Sequence, residues 1–231
     1  MPVPPATAQF RYASDQSLLI YFAQEITRSA HEQVRKLLLL LEKEPIAGVR
    51  NLHPAYCSLL VKFDPLRLRH DQLETILRQL LARAEHLPLP APRRVEIPVC
   101  YGGEFGPDLS DVSAMRGLAA EEVIRLHSSM EYLVYFLGFV PGFAYLGELP
   151  SQLVTPRLET PRRSVPAGTV AIAGKQTGVY PFATPGGWRL IGRTPTPMFR
   201  AGRNDFSLLS IGDLVRFTPV SREEFSRLQP A

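Results

Sequence analysis

Tyr135 to Gly147 (YFLGFVPGFAYLG) interleaves three glycines with five aromatic rings and one proline within thirteen residues. Glycine permits positive φ and lets another chain segment come close, while aromatic rings can wall a small pocket or offer a surface to a partner. Gly138, Phe139, Pro141, Gly142, Phe143 and Tyr145 are therefore candidate substrate- or partner-binding residues, although the run also suits a tight turn packed under its own rings. A second segment, Ser164 to Pro195, is dense in glycine, proline and small residues and holds the only tryptophan. Its turns would leave Lys175, Gln176, Thr177, Tyr180, Thr184, Trp188 and Arg193 as polar or amphipathic groups able to converge on a ligand. Pro185, Gly186, Gly187 and Trp188 join the binding candidates. The plainer alternatives are that Trp188 fills a core, Arg193 makes a surface ion pair and Gly186-Gly187 is a hairpin turn.

In such a constellation Lys175 and Arg193 would bind anions, Gln176, Thr177 and Tyr180 would donate hydrogen bonds, and His127 would act as acid or base. A second reading of His127 places it at a helix end, where its charge meets the dipole. Cys57 and Cys100 are the only cysteines and lie far apart without a CxxC or Cys/His cluster, so no metal site or disulfide framework is expected. The chain also lacks a GxxxxGK[ST] phosphate loop.

These residues need elements to hold them. Short β-type runs at Gln9 to Tyr12 and Leu18 to Phe22 flank a turn-rich connector. Helical spacing of Val34, Leu37, Leu38 and Leu41 predicts a helix over 29–43, with Ser29 or Thr27 as cap. Two strands, 49–53 and 56–63, and a second helix, 71–84, follow. Pro88, Pro90 and Pro92 then break regular structure, which sets a boundary between domains at 1–92 and 93–231. If the strand 93–100 closes the first sheet, the order becomes β-α-β-β-α-β, a split ferredoxin-like arrangement. Beyond Cys100 one helix is expected, 119–127, and strands near 131–136, 169–173, 188–193 and 213–219 read as a barrel or sandwich.

The 231 residues carry 26 basic and 22 acidic groups, a formal net charge of +4. Residues 1–92 hold 11 basic and 9 acidic groups and the remainder 15 and 13, so each part nets +2 and no basic stripe marks a nucleic-acid binder. The apolar run Leu37 to Leu41 is far too short to span a bilayer, and no signal-peptide pattern opens the chain, so a soluble cytoplasmic protein is expected.

GFVPGFAYLG, VPAGTVAIAGKQTGVYP and TPGGWRLIGRTP, in this order and spacing, resemble the signature blocks of the KipI/allophanate hydrolase subunit 1 family. IPVCYGGEFGPDL at 97–109 and EEVIRLHSS at 121–129 extend the resemblance from about residue 9 to the C-terminus. The resemblance implies an α+β protein, a ferredoxin-like N-terminal domain followed by a cyclophilin-like β-barrel. It implies a role as the B component of an ATP-dependent 5-oxoprolinase, inactive alone. Its implied partners are a KipA/allophanate hydrolase subunit 2-like C component and a LamB/YcsF-like A component. ATP would be a co-substrate of that complex, with no metal or biotin on this chain. Two alternatives are open: a KipI-type inhibitor of sensor histidine kinase autophosphorylation, docking through Phe139 to Tyr145, or a component of the allophanate hydrolase/urea carboxylase kind.

Overall fold

A hairpin begins the described chain: β1 (Gln9–Ser14) pairs antiparallel with β2 (Ser17–Tyr21). The computed structural model describes residues 8–201 and 206–229, so the outermost ends of the two expected domains lie outside it. The chain separates into two compact units between Ala91 and Pro92.

In the first unit the hairpin leads into α1 (Arg28–Lys43), β3 (Val49–Pro54), β4 (Ser58–Phe63) and α2 (His70–Ala84). Thr27 starts α1, its side chain accepting the Ala30 amide at 3.2 Å, which satisfies one of the N–H groups a helix start leaves unpaired. Ala30, Val34, Leu37, Leu38 and Leu41 recur at helical spacing and are buried, as are Leu73, Leu77 and Leu80 of α2. The sheet order is β1-β2-β4-β3, antiparallel throughout. Leu18 and Ile20 on β2, with Leu59, Val61 and Phe63 on β4, alternate onto the buried face. The element order is therefore β-β-α-β-β-α, a correction to the expected split ferredoxin-like closure. The strand that would have completed β-α-β-β-α-β belongs to the second unit.

That strand is β5 (Arg94–Tyr101), followed by α3 (Leu109–Arg116), α4 (Ala120–Ser128), β6 (Glu131–Leu137), β7 (Ala144–Gly147), β8 (Arg162–Val165), β9 (Thr169–Ala173), β10 (Gln176–Val179), β11 (Thr184–Gly186), β12 (Arg189–Arg193), β13 (Leu214–Pro219) and α5 (Arg222–Leu228). Seven strands close a barrel in the order β10-β7-β6-β13-β5-β12-β9, and β11 and β8 form a separate two-stranded ribbon. β5 pairs in parallel with β13 along 94–99 but with β12 only at Cys100 and Tyr101. Pro98, which has no N–H to give, thus sits where the strand has a single neighbour.

Burial on both faces defines β9. Val170 and Ile172 join the barrel core with Ile97, Val134, Leu146, Ile191 and Val215. Ala171 and Ala173 face outward into a second cluster with Phe143, Val165, Tyr180, Trp188 and Leu190. The small outer side chains leave room for large rings on the outside of the barrel, and that aromatic layer is where the glycine-rich segments meet.

Candidate functional site

The outer aromatic layer is built by interlocking edges. Phe143 lies edge-on to Tyr145, Tyr180 and Trp188, with ring centroids 5.0, 5.3 and 5.6 Å apart. Tyr180 is packed beneath Gly186, where a Cβ would fall 2.3 Å from the tyrosine hydroxyl, so only glycine fits. The loop 138–143 is closed by Gly138 N–H donating to the Phe143 carbonyl at 3.1 Å. Gly142 has φ +82°, and a Cβ there would come within 2.7 Å of Phe199 Cβ, which explains the glycine inside the aromatic run. Phe139 also has positive φ, 70°, and remains 59% exposed.

Between this layer and the β8–β11 ribbon is a cavity of about 290 Å³, lined by Phe139, Phe143, Tyr145, Arg157, Leu158, Pro161, Tyr180, Pro185, Gly186, Gly187 and Trp188. The ribbon is tied to the barrel by Asp108, only 5% exposed, whose carboxylate accepts from Arg162 Nη2 at 2.6 Å and from the Leu190 amide at 2.7 Å. Burial pushes the Tyr180 hydroxyl above its usual range, opposed by a hydrogen bond from the Trp188 amide and by the charges of Arg157 and Arg162. Burial raises Tyr145 too, again against the Arg157 charge. Both hydroxyls are therefore protonated donors at neutral pH. An aromatic floor, two hydroxyls and a guanidinium equip the cavity for a small, flat, anionic molecule.

Of the sequence candidates, Phe139, Phe143, Tyr145, Tyr180, Pro185, Gly186, Gly187 and Trp188 line this cavity, while Gly138, Pro141 and Gly142 shape the loop that carries Phe139 and Phe143. The remaining candidates lie elsewhere. Lys175 is exposed at the tip of the β9–β10 hairpin, its carbonyl accepting from the Leu149 amide, and Gln176 pairs across to Ala173 and Gly147. Arg193 Nε donates to the Ala167 carbonyl at 2.8 Å, an anchor for the turn before β9.

His127 is fully buried at the end of α4, stacked on Phe217 at 4.6 Å, with Nδ1 2.7 Å from Tyr101 Oη and Nε2 2.9 Å from Thr177 Oγ1. Burial lowers its pKa from 6.5 to about 3, so it is neutral and carries no charge for the helix dipole. His127 and Thr177 thus meet each other inside the barrel and do not face the cavity. The reason is the phase of α4, which turns Val123 and His127 together onto the barrel.

Sequence reasoning passed over Arg157, Leu158 and Pro161. The available signal was the segment PRLETPRR at 156–163, basic and proline-bounded immediately before the second glycine-rich block. Clefts in the first unit are larger, about 410 and 600 Å³; in them Lys36 Nζ donates to the Glu85 carbonyl, Arg78 donates to the Glu74 carboxylate, and Arg11 lies over Tyr21. Among the described residues no group of His, Cys, Asp or Glu is placed to hold a metal ion, and no helix is long and apolar enough to cross a membrane.

Residues 8–209 match the family described as carboxyltransferase domain, subdomain C and D. The chain is 41% identical over 227 residues to the B component of 5-oxoprolinase from Bacillus subtilis strain 168, covering 94% of this chain and 95% of that protein. It is 50% identical over 176 residues to the B component of 5-oxoprolinase from Escherichia coli O157:H7, covering 76% and 77% respectively. Among solved structures it resembles TTHA0988, with a TM-score of 0.79 and 37% identity over 89% of this chain. It spans only 40% of the length of that second chain. From its signature blocks, its barrel and these relatives, the chain belongs to the carboxyltransferase domain, subdomain C and D, family, alongside the 5-oxoprolinase B components it resembles.

Proposed function

We propose that this chain is the B component of an ATP-dependent 5-oxoprolinase, a cytoplasmic complex that opens the lactam of 5-oxoproline to L-glutamate. The observation that carries the reading is the aromatic cavity with Arg157 at its edge and no carboxylate among its described lining residues, which suits a small lactam bearing a carboxylate. A lactam is a poor electrophile. Phosphoryl transfer from ATP to its carbonyl oxygen, in a site from which water is excluded, makes the ring carbon electrophilic. Addition of water and cleavage of the ring C–N bond then give γ-glutamyl phosphate, and a second water releases L-glutamate and phosphate; the partners share these steps.

ATP is a co-substrate of the complex, and its site is not assigned to this chain. Its partners on this reading are a KipA/allophanate hydrolase subunit 2-like C component and a LamB/YcsF-like A component. Exposed Phe139 and the hairpin tip at Lys175 and Gln176 are the surfaces offered to them, because each projects from a loop whose backbone is already fixed. His127 is withdrawn from acid–base duty, and Tyr180 takes the place of hydrogen-bond donor to the ligand. Exposed Phe139 also favours one second reading, docking of the 139–145 loop on a sensor histidine kinase. ADP release by the mixed components tests the first reading: stimulation by 5-oxoproline that needs this chain supports it, and release indifferent to this chain overturns it.

A further inference from the structure

We propose that Arg157 is the specificity-determining residue of the aromatic cavity, holding the carboxylate of a small cyclic ligand whose ring lies against Trp188 and Tyr180. The identity of the ligand, 5-oxoproline, rests on the functional reading above; the recognition of a ring-borne carboxylate rests on the geometry alone.

Arg157 differs from Arg162, Arg189 and Arg193 in having no polar partner of its own among the described residues. Arg162 is bound to Asp108, Arg189 lies 3.7 Å from Asp111, and Arg193 donates to the Ala167 carbonyl. Arg157 makes no hydrogen bond or ion pair among the described residues, and its guanidinium stands 5.9 Å above the Trp188 ring. Among the described residues no carboxylate lines the cavity to compete for it. Its charge nevertheless reaches inward, since it acts on the hydroxyls of both Tyr145 and Tyr180.

The backbone that carries it is pinned on both sides. The Thr155 carbonyl accepts from the Gly174 amide at 2.7 Å, and the Leu158 amide donates to the Gly187 carbonyl at 2.7 Å. Arg157 is therefore an exposed side chain on a fixed mount, aimed across a half-desolvated aromatic wall. A guanidinium presents a planar fork that matches a carboxylate through two parallel N–H donors, and the pairing strengthens where water is partly excluded. A volume of about 290 Å³ admits one small ring.

Trp188 is the only tryptophan, so its emission reads occupancy of this cavity directly. The chain, wild type and Arg157→Gln, is titrated with 5-oxoproline and with 2-pyrrolidinone, the same lactam without a carboxylate. The expected result is that Arg157→Gln weakens the response to 5-oxoproline roughly 10- to 100-fold and leaves that to 2-pyrrolidinone unchanged. Arg157→Lys, which keeps the charge and loses the fork, recovers part of the affinity. In the reconstituted complex the same substitution raises KM and spares kcat. Equal 5-oxoproline affinity in wild type and Arg157→Gln overturns the inference even if the wild-type complex turns 5-oxoproline over. An Arg157-dependent response to the carboxylate in a chain whose complex lacks turnover leaves the inference standing and removes the functional reading instead.

Discussion

The Nε2 atom of His127 lies 2.9 Å from the Thr177 hydroxyl, which in turn lies 3.1 Å from the Ala171 carbonyl. A carbonyl can only accept, so the single hydroxyl proton points to Ala171 and Thr177 accepts from the ring. The proton of neutral His127 is thereby assigned to Nε2, and Nδ1 accepts from the Tyr101 hydroxyl at 2.7 Å. This buried trio is fully satisfied only while the imidazole is neutral.

Thr177→Val removes the acceptor from His127 and the donor from Ala171 without changing side-chain volume much. The expected cost is about 1–3 kcal/mol, a fall of several degrees in thermal midpoint. Reconstituted activity at 25 °C keeps its pH profile, because Thr177 is placed as a brace for β10. A changed profile with an unchanged midpoint would return His127 and Thr177 to the chemistry.

Two buried histidines set an acid limit. The pKa of His127 falls from 6.5 to about 3 by burial, and that of His31 from 6.5 to about 4 by burial and the nearby Arg35 charge. Folded values below the unfolded ones mean that the unfolded chain takes up protons first as pH drops. Stability from these groups is full above about pH 6.5 and is lost as pH falls toward 4 and 3, each unit of difference being worth about 1.4 kcal/mol. Thermal midpoints measured from pH 7 to pH 4 should fall, and His127→Gln should flatten part of the slope. A midpoint that holds constant across this range contradicts the assignment.

The glycine pair of the PGGW segment separates shape from flexibility. A Cβ on Gly186 would fall 2.3 Å from Tyr180 Oη, whereas one on Gly187 meets nothing nearer than Pro161 Cγ at 3.6 Å. Gly186→Ala should displace Tyr180, shift Trp188 emission and weaken ligand binding at least tenfold. Gly187→Ala should leave both close to wild type. Equal behaviour of the two variants would show that Tyr180 does not shape the cavity.

Much of this site was legible because its residues carry their own geometry. Glycines among rings between 138 and 147, and PGGW, read as a place where backbone and aromatics approach closely, and the rings do meet there. β9 was legible for a different reason: TVAIA has no polar face, as a strand covered on both sides requires. Helix phase hid the role of His127, since a dipole acts on the end of α4 whichever face turns inward. The fate of β5 was equally hidden, because pairing with β13 joins residues more than a hundred positions apart, and nothing local in RRVEIPVC encodes that partner. Short helix α5 was missed although Ser221 and Glu224 form a readable capping box. Arg157 escaped notice because it lies in an irregular segment whose position is set by Gly174 and Gly187, both distant in sequence.

The central claim is tested most directly by glutamate formation from 5-oxoproline and ATP, with this chain mixed with its LamB/YcsF-like and KipA-like partners and each left out in turn. The account predicts glutamate from the full mixture and none when this chain is omitted. Full glutamate formation in its absence would contradict it.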